Sequence, residues 1–249
     1  LLKERETESI RIDCIYPVVH GKNCEDGVLQ GLLELSGIPY VGPGVAASAC
    51  SMDKAITKLI AGAAGINQAD YGLVTASELK ADETATLDRV EAYFNRYPLF
   101  IKPANEGSSV GISKVHDRAE LGRGLAEAAG YDEKILVEET IVGREIETAV
   151  LGNDNPEVAK IGEIFSCNEF YDYEAKYADI GSRTGIIDDI SPELEQQIKE
   201  TAVRVFKAMG CKGMSRIDFF LTEDNRIILN ELNTLPGFTS ISMYPKMWE

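Results

Sequence analysis

Residues 214–221 read MSRIDFFL, residues 222–225 read TEDN, and residues 226–233 read RIILNELN. Two apolar runs on either side of a short polar turn are typical of a β-hairpin. One face of such a hairpin packs on a hydrophobic core and the other stays available for ligands or solvent. This stretch therefore predicts a two-stranded unit whose second face decides what the protein can bind.

The register of the hairpin follows from its turn. A two-residue loop at residues 224–225 places Asp218 opposite Glu231 and Arg216 opposite Asn233. Side chains alternate between the faces of a strand, so these four share one face. The opposite, apolar face then carries Ile217, Phe219, Leu221, Ile228 and Leu232.

The polar face of the hairpin gathers two carboxylates, an amide oxygen and a guanidinium, a set that suits a hard cation and the phosphates it carries. The sequence predicts a Mg²⁺-nucleotide site here. For a bare pattern of acids, a half-exposed hairpin with a solvated salt bridge is an equally supported alternative. The run LPGFTS at residues 235–240 follows at once, and its Gly237 lets the backbone approach a ligand closely, which favours the site.

The composition limits the classes of protein and partner. With 249 residues the chain can bury a sizeable core in two or three subdomains. Its 25 basic and 41 acidic residues give a net charge of −16, which argues against a nucleic-acid partner. No apolar run is long enough to span a bilayer, so we expect no membrane partner. The five cysteines are widely spaced without a C-x-x-C pair, which indicates a reducing cytoplasm rather than disulfides or zinc.

The order of predicted elements indicates an α/β protein. A buried strand over residues 10–19, a helix over residues 26–36 and a short strand over residues 37–42 form a unit with a parallel sheet. Residues 51–54 cap a helix that runs to about residue 64. Mixed strands and helices continue from there to the hairpin.

A loop and a lysine between two predicted strands are candidates for phosphate binding. Residues 106–111 offer consecutive backbone amides and the hydroxyls of Ser108 and Ser109, which can form a nest for phosphate oxygens. A plain hairpin turn is the better supported alternative for this loop alone. Lys102 ends the preceding apolar strand, where a phosphate partner would explain a lysine among buried neighbours.

Other candidates lie at the ends of apolar strands. Glu138 and Glu145 could accept hydrogen bonds from an adenine amine and from ribose hydroxyls, although acids that merely solvate a strand end are equally supported. His20 leaves a predicted strand at its C-terminal end, where α/β sheets bind ligands, and a satisfied core histidine is the alternative. A Ser-His-Asp hydrolase is rejected, because the chain has no G-x-S-x-G elbow and only two histidines.

Seven segments, in this order, resemble the D-alanine–D-alanine ligases, which are members of the ATP-grasp superfamily. They are HGKNCEDG at residues 20–27, SMDK at 51–54, IKP at 101–103, EGSSVG at 106–111, FYDYEAKY at 170–177, RID at 216–218 and NELNTLPGFTSIS at 230–242. Each segment alone could arise by chance, whereas the ordered set covers nearly the whole chain and is highly specific.

The resemblance implies an ATP-grasp fold of the α/β (α+β) class, in which two α+β subdomains sandwich ATP after the remainder of a Rossmann-like N-terminal domain. We expect residues 1–52 to be the remnant of that N-terminal α/β substrate domain. Residues 53–140 would be the central ATP-grasp subdomain, and residues 141–249 the C-terminal subdomain with the Mg²⁺ site and a lid loop. The family has a first βαβ unit before the segment that opens here, so we expect a piece of a longer protein.

The resemblance also implies a set of site residues. The residues implied to bind ATP are Lys54, Lys102, Glu138, Glu145, Ser109 and Lys176. Two Mg²⁺ ions, with Mn²⁺ as an alternative, would be held by Asp218, Glu231 and Asn233. The residues implied in catalysis are Arg216, Ser108, Tyr177 and the Gly237 amide. D-Alanine would be held by His20, Ser242 and Met243.

The implied reaction is the ATP-dependent ligation of two D-alanines through a D-alanyl phosphate, for peptidoglycan precursor synthesis, in a cytoplasmic homodimer. The sequence EAKY at residues 174–177 and the apolar Met243 favour D-alanine as second substrate. Three alternatives stay open: a D-alanine–D-serine or D-lactate ligase of the glycopeptide-resistance type, another ATP-grasp carboxylate-amine ligase, and a non-catalytic nucleotide-binding module.

Overall fold

The computed structural model describes residues 10–107, 110–165 and 183–249. The helices are α1 (Val28–Ser36), α2 (Val45–Met52), α3 (Lys54–Ala63), α4 (Ala76–Ala81), α5 (Glu83–Phe94), α6 (Arg118–Ala128), α7 (Pro192–Ala208) and α8 (Met243–Lys246). The strands are β1 (Tyr71–Thr75), β2 (Leu99–Pro103), β3 (Ser113–Val115), β4 (Lys134–Glu139), β5 (Arg144–Gly152), β6 (Glu157–Phe165), β7 (Arg183–Ile186), β8 (Gly213–Leu221) and β9 (Ile227–Asn233).

The strands form two antiparallel sheets, each covered by helices on one face. The first sheet has the order β1-β4-β2-β3, and its core joins side chains of α5 and α6 to Ile101, Ile135 and Val137. The second sheet has the order β7-β6-β5-β8-β9, and α7 packs on it through Ile198 and Phe206. One face of each sheet is thus covered by these helices. On the other face of the second sheet, α8 packs on Ala149 and Met214, and the remaining part is left to line a site.

The register of the C-terminal hairpin is confirmed, although its turn is not the one predicted. Arg216 pairs with Asn233 and Asp218 with Glu231. Leu221, however, pairs with Ile227, so the connection is longer than a two-residue loop, and Asn225 adopts φ 62° within it. A β-bulge in β9 next to Asp218 absorbs the difference, because it adds one residue opposite β8.

The bulge changes one assignment on the apolar face. Ile228 pairs with Phe220 and so shares the face of Asp218, contrary to the prediction, although it is buried. Ile227 and Leu229 join the core in its place. The other predicted residues of that face, Ile217, Phe219, Leu221 and Leu232, lie in the core of the second sheet as expected.

The predicted buried strand over residues 10–19 is wrong. Within the residues described, this segment makes a single parallel bridge between Ile15 and Tyr40, and Ile10 is 78% exposed. The following helix α1 forms as predicted, but it buries Leu33 and leaves Leu32 and other apolar side chains exposed. An apolar run becomes a strand only where partner strands complete its hydrogen bonds, and the described residues supply one bridge.

The helix start predicted at residues 51–54 is confirmed and begins α3. The Asp53 side chain accepts hydrogen bonds from the backbone amides of Ala55 and Ile56 at 3.1 and 3.2 Å, and it forms an ion pair with Lys134. Gly65, with φ 64°, follows the end of the helix. The cap matters for the site because Lys54 is the first residue of this helix.

We expect Asp53→Ala to lower the free energy of unfolding by about 1 to 2 kcal/mol, the usual cost of losing an N-cap. Asp53→Asn is the matched control, since asparagine keeps the capping oxygen and loses only the partly exposed pair with Lys134, worth less than about 1 kcal/mol. Urea unfolding followed by circular dichroism measures both. Equal losses in the two variants would contradict the capping role.

Candidate active site

A cleft of about 1370 Å³ lies between the two sheets. Lys102 of β2 and Glu138 of β4 line it from the first sheet, and Glu147 of β5 and Asp218 of β8 line it from the second. The free faces of both sheets therefore look onto one space. Its size is above the range of a typical small-molecule site, so it can hold a large ligand or more than one.

The polar face of β8 and β9 is organised around one guanidinium. Arg216 donates to both carboxylate oxygens of Asp218, at 2.7 Å from Nε and 2.6 Å from Nη2, and its Nε lies 2.8 Å from Oε2 of Glu147. Asn233 donates from Nδ2 to Asp218 at 3.0 Å. Burial alone would lower the pKa of Arg216, but Asp218 and Glu147 outweigh it and raise this pKa.

Glu147 is a site residue that the sequence reasoning missed. It lies opposite Asp218 in the pairing of β5 with β8 and is 3% exposed. The signal was present, because Glu145 and Glu147 lie two residues apart in β5, on either side of Ile146, and so share a face. The structure places both glutamates on the cleft wall.

Lys54 reaches the hairpin from α3. Its Nζ donates to the carbonyl oxygen of Glu106 at 2.5 Å and lies 3.7 Å from Oε1 of Glu231. Glu106 belongs to the loop predicted to wrap phosphate. Lys54, that loop and the hairpin acid Glu231 are thus brought together.

Glu138 is held between two lysines. Lys102 Nζ lies 2.5 Å from Oε2 of Glu138 and 3.5 Å from Oδ1 of Asn230, and Lys58 forms an ion pair with the other carboxylate oxygen. Burial would raise the pKa of Glu138, but the two ammonium groups lower it to about 2. Lys58 was not predicted, although it lies one helical turn beyond Lys54 in α3, a spacing that puts both on one face.

The segment after β9 meets the N-terminal part of the chain at the edge of the cleft. His20 Nδ1 lies 2.9 Å from the carbonyl oxygen of Leu235. Ser242 Oγ accepts from the Thr239 amide at 3.0 Å and lies against Gly237, where a β-carbon would approach it to 2.6 Å. The predicted residues His20, Gly237 and Ser242 therefore lie together on the cleft wall.

Two further side chains, of which Met243 is buried, complete this edge. Met243 lines the cleft but is only 5% exposed, because it packs in a small core with α8. Glu25, which was not singled out, accepts from the Gly21 amide at 2.6 Å, and burial raises its pKa. The predicted residues Ser108, Ser109, Lys176 and Tyr177 lie outside the described residues.

The donor set of the hairpin favours hard cations. Across residues 10–107, 110–165 and 183–249, no three His, Cys, Asp or Glu side chains converge as a metal site. Two carboxylates and an amide oxygen, from Asp218, Glu231 and Asn233, do line the cleft together. A cation here would need further oxygen ligands from a substrate, which is how Mg²⁺ usually binds beside phosphates.

Among the described residues, no helix combines the length and apolar character needed to cross a bilayer. Cys14, Cys24, Cys50 and Cys211 are free thiols.

Two protein-family models match the chain. The family described as "D-ala D-ala ligase C-terminus" matches residues 60–249, and "D-ala D-ala ligase N-terminus" matches residues 2–43. Among curated relatives, the D-alanine–D-alanine ligase of Acetivibrio thermocellus is 53% identical over 251 residues, which cover 100% of this chain and 66% of that protein. That of Clostridium novyi is 52% identical, with 96% and 69% covered.

Solved structures agree with these matches. The D-alanine-D-alanine ligase from Coxiella burnetii superposes with a TM-score of 0.81 at 39% identity, covering 96% of this chain and 64% of that one. The VanG D-Ala:D-Ser ligase from Enterococcus faecalis superposes with a TM-score of 0.85 at 42% identity, covering 97% and 69%. The chain thus spans about two thirds of the length of the relatives it matches.

Proposed function

Because the chain belongs to the D-alanine–D-alanine ligase family, we propose that it carries out the ATP-dependent joining of two D-alanines to D-alanyl-D-alanine. Its fold is the ATP-grasp fold that the sequence predicted. The dipeptide would serve as a precursor of peptidoglycan. This reaction is that of the family, and the geometry of the cleft supports its assignment to this chain.

One observation carries the proposal: acids and cations from both sheets face a single cleft. Asp218, Glu231 and Arg216 lie on the free face of the second sheet, and Lys102 faces them from the first. A triphosphate needs cations along its length and a divalent ion at its reacting end, and such a ligand would bridge the two sheets. Lys54 and Lys102 would bind the phosphates.

The reaction needs no nucleophile from the protein. The carboxylate oxygen of the first D-alanine attacks the γ-phosphorus. The bond between that phosphorus and the bridging oxygen breaks, ADP leaves with the bond pair, and D-alanyl phosphate is formed. The amine of the second D-alanine, after losing a proton, then attacks the carbonyl carbon, and inorganic phosphate departs with the former bond pair. Positioning and charge stabilisation supply the catalysis, with Arg216 and the Gly237 amide facing the tetrahedral oxyanion.

A divalent cation fits the hairpin. Asp218, Glu231 and Asn233 would hold two Mg²⁺ ions, with Mn²⁺ as an alternative, because hard cations bind carboxylate and amide oxygens. The ions would neutralise the oxygens of the transferred phosphoryl group. The Arg216 guanidinium engages both oxygens of Asp218 and lines the same cleft, so it would contribute a fixed positive charge beside the ions.

The remaining predicted residues have roles in this proposal. Glu138 would accept from the adenine amine and Glu145 from the ribose, with Ser109 and Lys176 as further ATP contacts. His20, Ser242 and Met243 would hold the amino acids, and Ser108 and Tyr177 would orient them. Residues 53–140 and 141–249 would be the two ATP-grasp subdomains, with residues 1–52 from the N-terminal substrate domain.

We further propose a homodimer in the cytoplasm. The four described free cysteines fit a reducing compartment. The net charge of −16 supports small-molecule substrates rather than nucleic acid, as the lysines and arginines of the cleft are local exceptions to an acidic protein.

The test is phosphate release from ATP by the intact protein, measured with D-alanine, D-serine and D-lactate as second substrates. We expect ADP and phosphate formation that requires D-alanine and yields D-alanyl-D-alanine. The similarity to a D-Ala:D-Ser ligase makes D-alanyl-D-serine the second candidate product. An intact protein that releases no phosphate with any of these acids would overturn the ligase assignment.

A further inference from the structure

Lys58 is a buried charge with no role in the proposed reaction. Its side chain is 5% exposed, and its Nζ forms an ion pair with Oε1 of Glu138 and donates to the carbonyl oxygen of Ala69 at 3.3 Å. A lysine is almost never fully buried unless it is paired, because desolvation penalises an isolated ammonium group. The burial of Lys58 therefore needs the carboxylate of Glu138.

The two oxygens of Glu138 have different partners. Lys58 holds Oε1, whereas Lys102 lies 2.5 Å from Oε2. Glu138 is 5% exposed, and the two ammonium groups lower its pKa to about 2 against the effect of burial. The carboxylate is thus kept ionised and can only accept hydrogen bonds.

The two lysines differ in their access to the cleft. Lys102 lines the cleft, and its Nζ also lies 3.5 Å from Oδ1 of Asn230, another residue of the cleft wall. Lys58 projects from α3 and does not line the large cleft. Once Lys102 turns toward a ligand, Lys58 is the counter-charge that stays with the buried carboxylate.

We propose that Lys58 is a positioning residue that keeps Glu138 charged and oriented as an acceptor for the exocyclic amine of a purine, and so sets the preference for adenine. The inference rests on the proposed use of ATP. A carboxylate accepts from the 6-amine of adenine, whereas guanine presents a carbonyl oxygen there and unsubstituted purine presents neither group. Discrimination at the 6-position therefore depends on the charge of Glu138, which Lys58 maintains.

The test compares the dissociation constants of ATP, GTP and purine riboside triphosphate, which lacks the 6-amine. Calorimetry on the intact protein gives these values without turnover. We expect ATP to bind about 10- to 100-fold more tightly than purine riboside triphosphate, as for a hydrogen bond to a charged group. In Lys58→Met the ratio should fall below about threefold, and Lys58→Arg should restore most of it, since arginine keeps the charge.

Lys199→Met is the matched control, because Lys199 pairs with Glu195 at 2.6 Å on α7, away from the cleft. It should keep the full ratio. If Lys58→Met does not fold, Lys58→Gln takes its place, because glutamine keeps a donor for Ala69 and removes only the charge. An undiminished ratio in the folded neutral variant would overturn the proposal, since a purely structural lysine would alter all three affinities equally.

The outcomes separate this inference from the proposed function. A protein that binds ATP selectively and loses that selectivity without Lys58, yet forms no dipeptide, would keep the role of Lys58 and refute the ligase assignment. A protein that makes the dipeptide while Lys58→Met keeps its selectivity would do the reverse. Failure of the unchanged protein to bind ATP would overturn both.

Discussion

Asp218→Ala is expected to lower D-alanine-dependent turnover by about 100- to 1000-fold, the loss typical of removing a group that stabilises transition-state charge. Asp218 would hold the divalent cation, and its two oxygens also orient Arg216 at 2.7 and 2.6 Å. The fold should survive, because Glu147 still compensates the guanidinium. Steady-state kinetics and circular dichroism measure the two effects separately.

The matched control for this substitution is Asp224→Ala. Asp224 lies in the turn of the same hairpin and pairs with Arg226 at the surface, where both side chains are more than half exposed. Its removal should leave turnover within about twofold, since exposed ion pairs contribute little. Glu231→Ala should resemble Asp218→Ala. Unchanged kinetics in Asp218→Ala would remove this residue from the proposed metal site.

Arg216→Met is expected to cost both activity and stability. The substitution leaves the nearly buried Glu147 without its 2.8 Å partner, and breaking a buried pair costs about 3 to 5 kcal/mol. Turnover should fall at least about 100-fold, because the oxyanion would lose a fixed positive charge. Urea unfolding and kinetics at saturating ATP measure the two losses.

A second substitution separates these two effects. In the double variant Arg216→Met with Glu147→Gln, the uncompensated charge is gone, so we expect most of the lost stability to return while turnover stays low. Recovery of activity along with stability would mean that Arg216 acts only by holding the sheet together. Arg216→Lys should recover little of either, since an ammonium cannot engage Asp218 with two parallel hydrogen bonds.

The alternation of β8 was sufficient to predict the polar face of the hairpin, because period-two burial leaves Arg216 and Asp218 no other side. The turn was not predictable in the same way. The Thr222 hydroxyl accepts from the Arg226 amide at 3.0 Å, which favours the longer connection, and the bulge then restores the register. The longer turn and the bulge offset each other, so the predicted pairing of Arg216 and Asp218 is correct although the predicted turn is wrong.

The residues that the sequence did not reveal are buried charges. Glu147 shares the cleft face of β5 with Glu145, but a glutamate in a strand predicts an exposed side chain, whereas Glu147 is only 3% exposed. Lys58 occupies a buried position of α3, although a lysine in a helix usually predicts a position exposed to solvent. Each pairs with a residue distant in sequence, Glu147 with Arg216 and Lys58 with Glu138, and such pairs form only when the sheets and helices are assembled.

The first residues of the described chain illustrate the opposite error. Apolar residues at positions 10–19 predicted burial, yet Ile10 and Ile12 are 78% and 54% exposed. An apolar segment is stabilised when it is buried, but its burial depends on neighbouring elements that pack over it. The bridge between Ile15 and Tyr40 is parallel, which is the strand direction predicted for these two segments.

The proposed function requires the cleft face of β8 and β9 to hold the divalent ions of a bound nucleotide. A crystal structure of the intact protein with a non-hydrolysable ATP analogue and Mn²⁺ tests it directly, because the anomalous signal locates the ions independently of side-chain positions. We expect two manganese peaks about 2.0 to 2.4 Å from oxygens of Asp218, Glu231 and Asn233, with phosphate oxygens completing their coordination. A manganese peak elsewhere, with those three side chains still bound only to protein, would contradict the account.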